Sequence, residues 1–207
     1  VHPDDDYARL HPNGANGKTE AWYILDARPE SRLGLGLTRP LTPAQARAAC
    51  LSGEIEHLLD WRSVAAGDVV YVPAGTIHAI GEGITLFEIQ EESDITYRLY
   101  DYGRPRELHL DHGLAVSRLE PFSTQRTRRR IDSARELLID CPYFRLELVS
   151  LGAPAFLEPD PQWRSFVSVG GGSALVVPPG TTAALDFGTY LASSGPVLDW
   201  QIWIADG

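Results

Sequence analysis

The chain has 207 residues, 43% apolar and 22% charged, which excludes a disordered polar chain and allows one large globular domain or two small ones. Its formal net charge of −10 excludes nucleic-acid partners, which need clustered cations. Two cysteines, Cys50 and Cys141, exclude a framework of several disulfides, and nothing resembles a signal peptide or an apolar run of ~18 residues, so a reduced, cytoplasmic protein away from membranes is expected.

The predicted elements are mostly short strands punctuated by Gly and Pro, the pattern of a β-sandwich or barrel. In chain order they cover residues 21–26, 32–37, 68–72, 85–90, 97–102, 143–151, 165–169, 174–177 and 182–187. A helical insertion near 42–60 interrupts them. Thr42 is a helix cap, Pro43 takes the first helical position and Gln45 stands three residues after the cap, so a helix runs through 44–50, with a second short one over 54–59. The polar stretch 121–130 reads as a linker, and its run Arg126-Thr127-Arg128-Arg129-Arg130 as a solvated face. It divides a first unit, 1–120, rich in His, Glu and Asp, from a second, 131–207, that has no histidine and hence no expected metal site. Both units carry a similar turn after a strand, Val72-Pro73-Ala74-Gly75-Thr76 and Val177-Pro178-Pro179-Gly180-Thr181, which suggests a duplicated barrel.

Two oddities bear on chemistry. There is no methionine, so Val1 is expected to lie within a longer or processed protein. Lys18 is the one lysine among 18 basic residues, although an ammonium, unlike a guanidinium, is a compact charge whose pKa moves readily on burial.

The segment from Gly67 to His78 has the spacing Gly-x5-Pro-x-Gly-x2-His. The glycine permits a sharp turn and the returning strand aims His78 at one face. This spacing resembles the second conserved motif of the cupin superfamily, a double-stranded β-helix or jelly roll in which that histidine binds metal. The fold it implies is mainly β, with two barrel units. His2 and Glu20, upstream, complete a set of two imidazoles and a carboxylate suited to zinc or another divalent ion.

Four stretches occur in order: Val1-His2-Pro3-Asp4-Asp5, Gly17-Lys18-Thr19-Glu20-Ala21-Trp22-Tyr23, the 72–81 turn, and Leu86-Phe87-Glu88-Ile89-Gln90 running on to Arg98. Tyr100-Asp101-Tyr102-Gly103-Arg104 and Leu108-His109-Leu110 continue them. Together they resemble the type I mannose-6-phosphate isomerases in their short bacterial form, strongly over 1–120 and by strand pattern beyond. That family binds one zinc through Gln, His, Glu and His, and His2, Glu20 and His78 match the last three. The Gln would stand two residues ahead of His2, before Val1. The resemblance further implies Lys18, Glu88 and Arg98 as active-site residues, with Lys18 and Glu88 in acid–base work and Arg98 stabilising charge. Arg104 falls near a basic position for phosphate. The implied reaction interconverts mannose 6-phosphate and fructose 6-phosphate through an enediol or enediolate, in a monomer or homodimer acting on a small sugar phosphate. The alternative is a cupin that binds such a sugar without turning it over. A metal-dependent dioxygenase fits less well, because of the Lys-Thr-Glu element and the arginine after Ser93-Asp94.

Overall fold

The computed structural model describes residues 1–10, 16–123, 128–169, 174–186, 188–195 and 200–206. The chain forms two compact units, Val1–Thr124 with Gln201–Gly207, and Gln125–Trp200. The fold is mainly β, and every strand pairing described is antiparallel.

In the first unit the Asp4 side chain accepts from the Tyr7 amide and starts α1 (Asp5–Arg9). There follow β1 (Glu20–Ala27), β2 (Arg32–Leu37), α2 (Pro43–Ser52), α3 (Ile55–Leu58), β3 (Leu59–Ser63), β4 (Val69–Val72), β5 (His78–Ile80), β6 (Ile84–Glu91) and α4 (Leu110–Val116). In the second come β7 (Arg129–Arg130), β8 (Arg135–Asp140), β9 (Arg145–Leu151), β10 (Ala155–Leu157), β11 (Trp163–Ser168), β12 (Ala174–Val177), β13 (Ala183–Leu185) and β14 (Gly188–Gly195). The last strand, β15 (Trp200–Asp206), edges a four-stranded sheet of order β15-β6-β1-β4.

That sheet and a three-stranded one, β3-β2-β5, enclose the first core. Trp22 and Ile24 of β1, Val70 and Val72 of β4, and Ile84 and Leu86 of β6 meet Leu33 and Leu35 of β2. All eight are buried, as alternation along each strand requires. The helical insertion forms as expected. Thr42 and Gln45 make a reciprocal capping box, and Gly53, at φ 84°, ends α2 in the left-handed region. Ala46, Ala49, Cys50 and Ile55 then pack with Leu37 and Leu59, so the insertion has a small core of its own.

The second unit has a six-stranded sheet, β12-β11-β14-β9-β8-β7, and a pair, β10-β13. Its central arrangement repeats that of the first: β11 lies between β12 and β14 as β1 lies between β4 and β6. The two similar turns also agree in geometry. Gly75 has φ 84° and Gly180 φ 70°, and in each the threonine amide donates to the proline carbonyl, at 3.1 and 3.3 Å. A Cβ on Gly75 would sit 2.8 Å from the Val116 carbonyl oxygen, so this turn needs glycine for space as well as for φ.

One predicted strand is not a strand. Residues 97–102 run as a bent segment, because the Tyr97 amide donates to the Val1 carbonyl, and Arg98 and His109 bond each other through Arg98 N–His109 Nδ1 (3.1 Å) and His109 N–Arg98 O (2.8 Å). Of the predicted linker and basic run, residues 124–127 lie outside the described residues. Arg128 pairs with Glu136, and Arg129 and Arg130 form β7. Phe187, the end of another predicted strand, also lies outside. Among the described residues no helix is long and apolar enough to cross a membrane.

Candidate metal centre and active site

Glu20 is the first residue of β1, opposite Val72 of β4 and Gln90 of β6. Trp22, two residues on, faces the same side and pairs with Glu88 of β6. His78 opens β5 in the facing sheet, opposite Leu35. His2 arrives from the segment before α1, which is tied in by Gly75 N–His2 O at 2.8 Å and Lys18 N–Pro3 O at 2.9 Å. Residues remote in sequence thus converge between the two sheets.

His2, Glu20 and His78 each offer a ligand atom, and these atoms lie within 4.8 Å of one another. His2 Nδ1 donates to the Ile95 carbonyl at 2.8 Å and His78 Nδ1 to the Thr76 carbonyl at 3.0 Å. Each bond fixes the tautomer that leaves Nε2 unprotonated and turned toward Glu20, at 3.1 and 3.8 Å. Burial, the main cause, lowers both imidazole pKa values, that of His78 to about 3, so both rings are neutral near pH 7. Burial by itself would push the Glu20 carboxyl up. The facing His2 and His78, in so far as either takes a proton, and the Lys18 ammonium 2.9 Å away outweigh it and hold the group below the usual carboxylate range. Glu20 is 2% exposed, yet its Oε2 is buried without a hydrogen-bond partner among the described residues. Two free imidazole lone pairs and an orphaned carboxylate oxygen facing one point fit a divalent cation.

Around this cluster, Lys18 Nζ lies 2.9 Å from Glu20 Oε1 and 4.0 Å from Glu88 Oε1. Glu88 accepts a 2.8 Å bond from Trp22 Nε1, and its pKa is pushed up to about 7 by burial first and by the Glu20 charge second, against Lys18 and Trp22. Trp22 was not singled out by the sequence reading. It also packs edge-on against His78, with ring centroids 5.3 Å apart, and its inward register with Glu20 was the signal that could have found it.

Arg98 stands apart from the Lys18–Glu88 pair but lines a cleft of about 200 Å³ together with His78, Tyr97, Tyr100 and Tyr102. Its Nη1 donates to the Glu107 carbonyl at 3.0 Å, and its Nε lies 3.9 Å from buried Asp101. Asp101 also binds Arg106 and, at 3.1 Å, Arg104. Arg104 is thus drawn to a carboxylate and does not line the cleft; it stacks on the exposed ring of Tyr102, 5.6 Å away.

Glu91 closes the rear of the site. It is buried and accepts a 2.7 Å bond from the Thr19 amide, beside Glu20. Burial raises its pKa to about 7, with the Thr19 bond opposing. A folded-state value above the unfolded ~4.3 means that the folded protein holds more protons between the two. This contribution to stability is therefore complete below about pH 4.3 and lost as pH rises through about 7. Discounted for residual screening it amounts to about 1–2 kcal/mol. Glu91→Gln keeps the acceptor, and urea unfolding between pH 5 and 8 should show a flatter stability curve for it than for the parent. Parallel curves would show that Glu91 does not set this pH dependence.

The chain is similar to proteins named mannose-6-phosphate isomerase. It is 39% identical over 167 residues to mannose-6-phosphate isomerase ManA of Bacillus subtilis strain 168, a match covering 76% of this chain and 53% of that protein. It superposes on the crystal structure of the mannose 6-phosphate isomerase from Bacillus subtilis with a TM-score of 0.75 and 25% identity, over 94% of this chain and 70% of that one. The chain belongs to the mannose-6-phosphate isomerase family. No family model matches it. A more distant structure, of a mannose 6-phosphate isomerase bound with zinc and yttrium, matches in fold with a TM-score of 0.63 and 16% identity, covering 95% of this chain and 75% of that one. This family member spans about half the length of ManA.

Proposed function

We propose that the chain is the catalytic part of a zinc-dependent isomerase that interconverts mannose 6-phosphate and fructose 6-phosphate. The observation that carries the reading is the convergence of the His2–Glu20–His78 triangle with Lys18 and Glu88 at one end of the first unit. Family membership supports the substrate class, and the relative bound with zinc supports that metal. The two units are read as two cupin barrels, the first, about 1–120, catalytic and the second, from about 131, without metal. The enzyme is read as cytoplasmic, because a chain with two cysteines has no framework of several disulfides to maintain.

His2, Glu20 and His78 would hold the ion, which when bound would supply Lewis acidity toward a substrate oxygen. The reaction moves a proton from C2 to C1 and a hydroxyl proton from O2 to O1. Glu88, held near neutrality, takes the C2 proton as base and returns it to C1 as acid. Lys18 keeps Glu88 in place and sets a cation beside the enediolate as charge develops. Arg98 lines the adjoining cleft and grips the anionic end of the sugar.

The decisive experiment follows mannose 6-phosphate in D2O by NMR with zinc-loaded protein. Fructose 6-phosphate should form, and absence of both turnover and exchange would leave the non-catalytic binding reading standing. If Glu88 is the base, kcat/KM should fall about tenfold per pH unit on the acid side. The midpoint should lie at or below pH 7, because an ion on Glu20 cancels the charge that helps hold Glu88 up. Glu88→Gln should lower kcat about 10²- to 10⁴-fold and retain zinc. A pH profile that survives in Glu88→Gln would give the base to another group.

A further inference from the structure

We propose that the second unit contains a binding site of its own for a small hydroxylated anion, centred on Arg164. The strand register sets it up. Arg164 of β11 pairs with Ser194 of β14, which pairs with Arg145 of β9, and the adjacent row on the same face is Phe166, Ala192 and Glu147. Two guanidinium-bearing positions thus flank a serine across three strands, about 10 Å apart at the backbone. A cavity of about 370 Å³ covers this face, within the range that holds a monosaccharide-sized ligand.

The arginines differ in their partners. Arg145 is neutralised by Glu147 at 2.7 Å and Asp140 at 3.4 Å, and Arg135, which also lines the cavity, by Asp132 at 2.8 Å. Arg164 has no carboxylate partner among the described residues. Its Nη2 donates to the Glu158 carbonyl at 2.8 Å and weakly to that of Thr181 at 3.5 Å, which holds the group in place without cancelling its charge. Its Nε is buried with no acceptor among the described residues. A fixed guanidinium with an orphaned N–H beside a cavity lacks an anion's oxygen. Asp160, Gln162 and Ser194 line the same space with groups that bond hydroxyls, while Phe166 and Leu157 give an apolar wall for the C–H face of a sugar-like carbon chain. Carboxylate and phosphate both satisfy this chemistry. The site is built from the unit without histidine and does not depend on the isomerase reading.

The test is calorimetric titration of the full, zinc-loaded chain with gluconate, with glucose 6-phosphate and with neutral sorbitol. At least one of the two anions should bind and sorbitol should not. Arg164→Gln should weaken one binding event at least tenfold, whereas Arg98→Ala, which weakens only a sugar phosphate held in the first unit, should leave that event unchanged. Because Arg164 also ties down two loop carbonyls, Ser194→Leu provides a second variant that blocks the cavity and keeps those bonds; it should abolish that event as well. The proposal is overturned if neither anion binds, if sorbitol binds as tightly, if both cavity variants bind like the parent, or if Arg98→Ala removes the Arg164-dependent event.

Discussion

Replacing His78 by alanine should strip the protein of its metal. The triangle of His2, Glu20 and His78 holds two imidazole nitrogens and a carboxylate within 4.8 Å, and each histidine has its other nitrogen committed to a backbone carbonyl. Such outer bonds alone are worth about 10- to 100-fold in metal affinity, so loss of a ligand itself should cost at least about 100-fold. Elemental analysis of dialysed protein should therefore find zinc in the parent and little in His78→Ala. A second readout separates ligation from damage to the fold. Removing His78 also removes an edge contact with Trp22, so both proteins should be compared without metal. There the variant should unfold cooperatively with a modest loss of stability, and only the parent should gain stability on adding zinc. Equal zinc content in both proteins would show that the triangle is a buried ion-pair network and not a metal site.

Arg98→Ala should lower kcat/KM by about 30- to 1000-fold and leave zinc content intact, the loss expected for one charged partner of the transition state, about 2–4 kcal/mol. The protein carries a net charge of −10, so a phosphorylated sugar is repelled at long range and needs a local cation. Arg98 shares its cleft with His78, and the Glu107 carbonyl and Asp101 carboxylate restrict its guanidinium. Arg98→Lys should recover only part of the loss, because an ammonium cannot reproduce the planar fork. Asp101→Asn should act in the same direction but more weakly, since it loosens Arg98 without removing it. In an Arg98→Ala background it should then add little. Full activity in Arg98→Ala would exclude it from the site while leaving the metal prediction untouched.

How much of this was legible in the sequence depended on the range of the forces involved. Short-range sterics and local hydrogen bonds wrote the capping box at Thr42 and Gln45, the left-handed turn at Gly75 and the start of β5 at His78, and these formed where the spacing placed them. The meeting of His2, Glu20 and His78 was to be expected only by resemblance, since nothing local says that residues 2, 20 and 78 meet. What brings them together is the antiparallel register of β1 with β4 and β6, and the facing sheet that carries His78.

The tertiary structure decided the rest. Residues 97–102 have strand-like composition, but their backbone groups are taken by Val1 and His109, so no ladder forms and Arg98 sits on a bent segment facing a cleft. Arg104, a residue of the same motif, is turned toward Asp101. The near-neutral pKa of Glu88 arises from burial beside Glu20, an environment that exists only once β1 and β6 are paired. Residue types and turns were determined by the sequence through contacts a few positions apart. Desolvation, ion-pair partners and the choice of which arginine faces the cleft act between residues tens of positions apart, and only the packed sheets fix those distances.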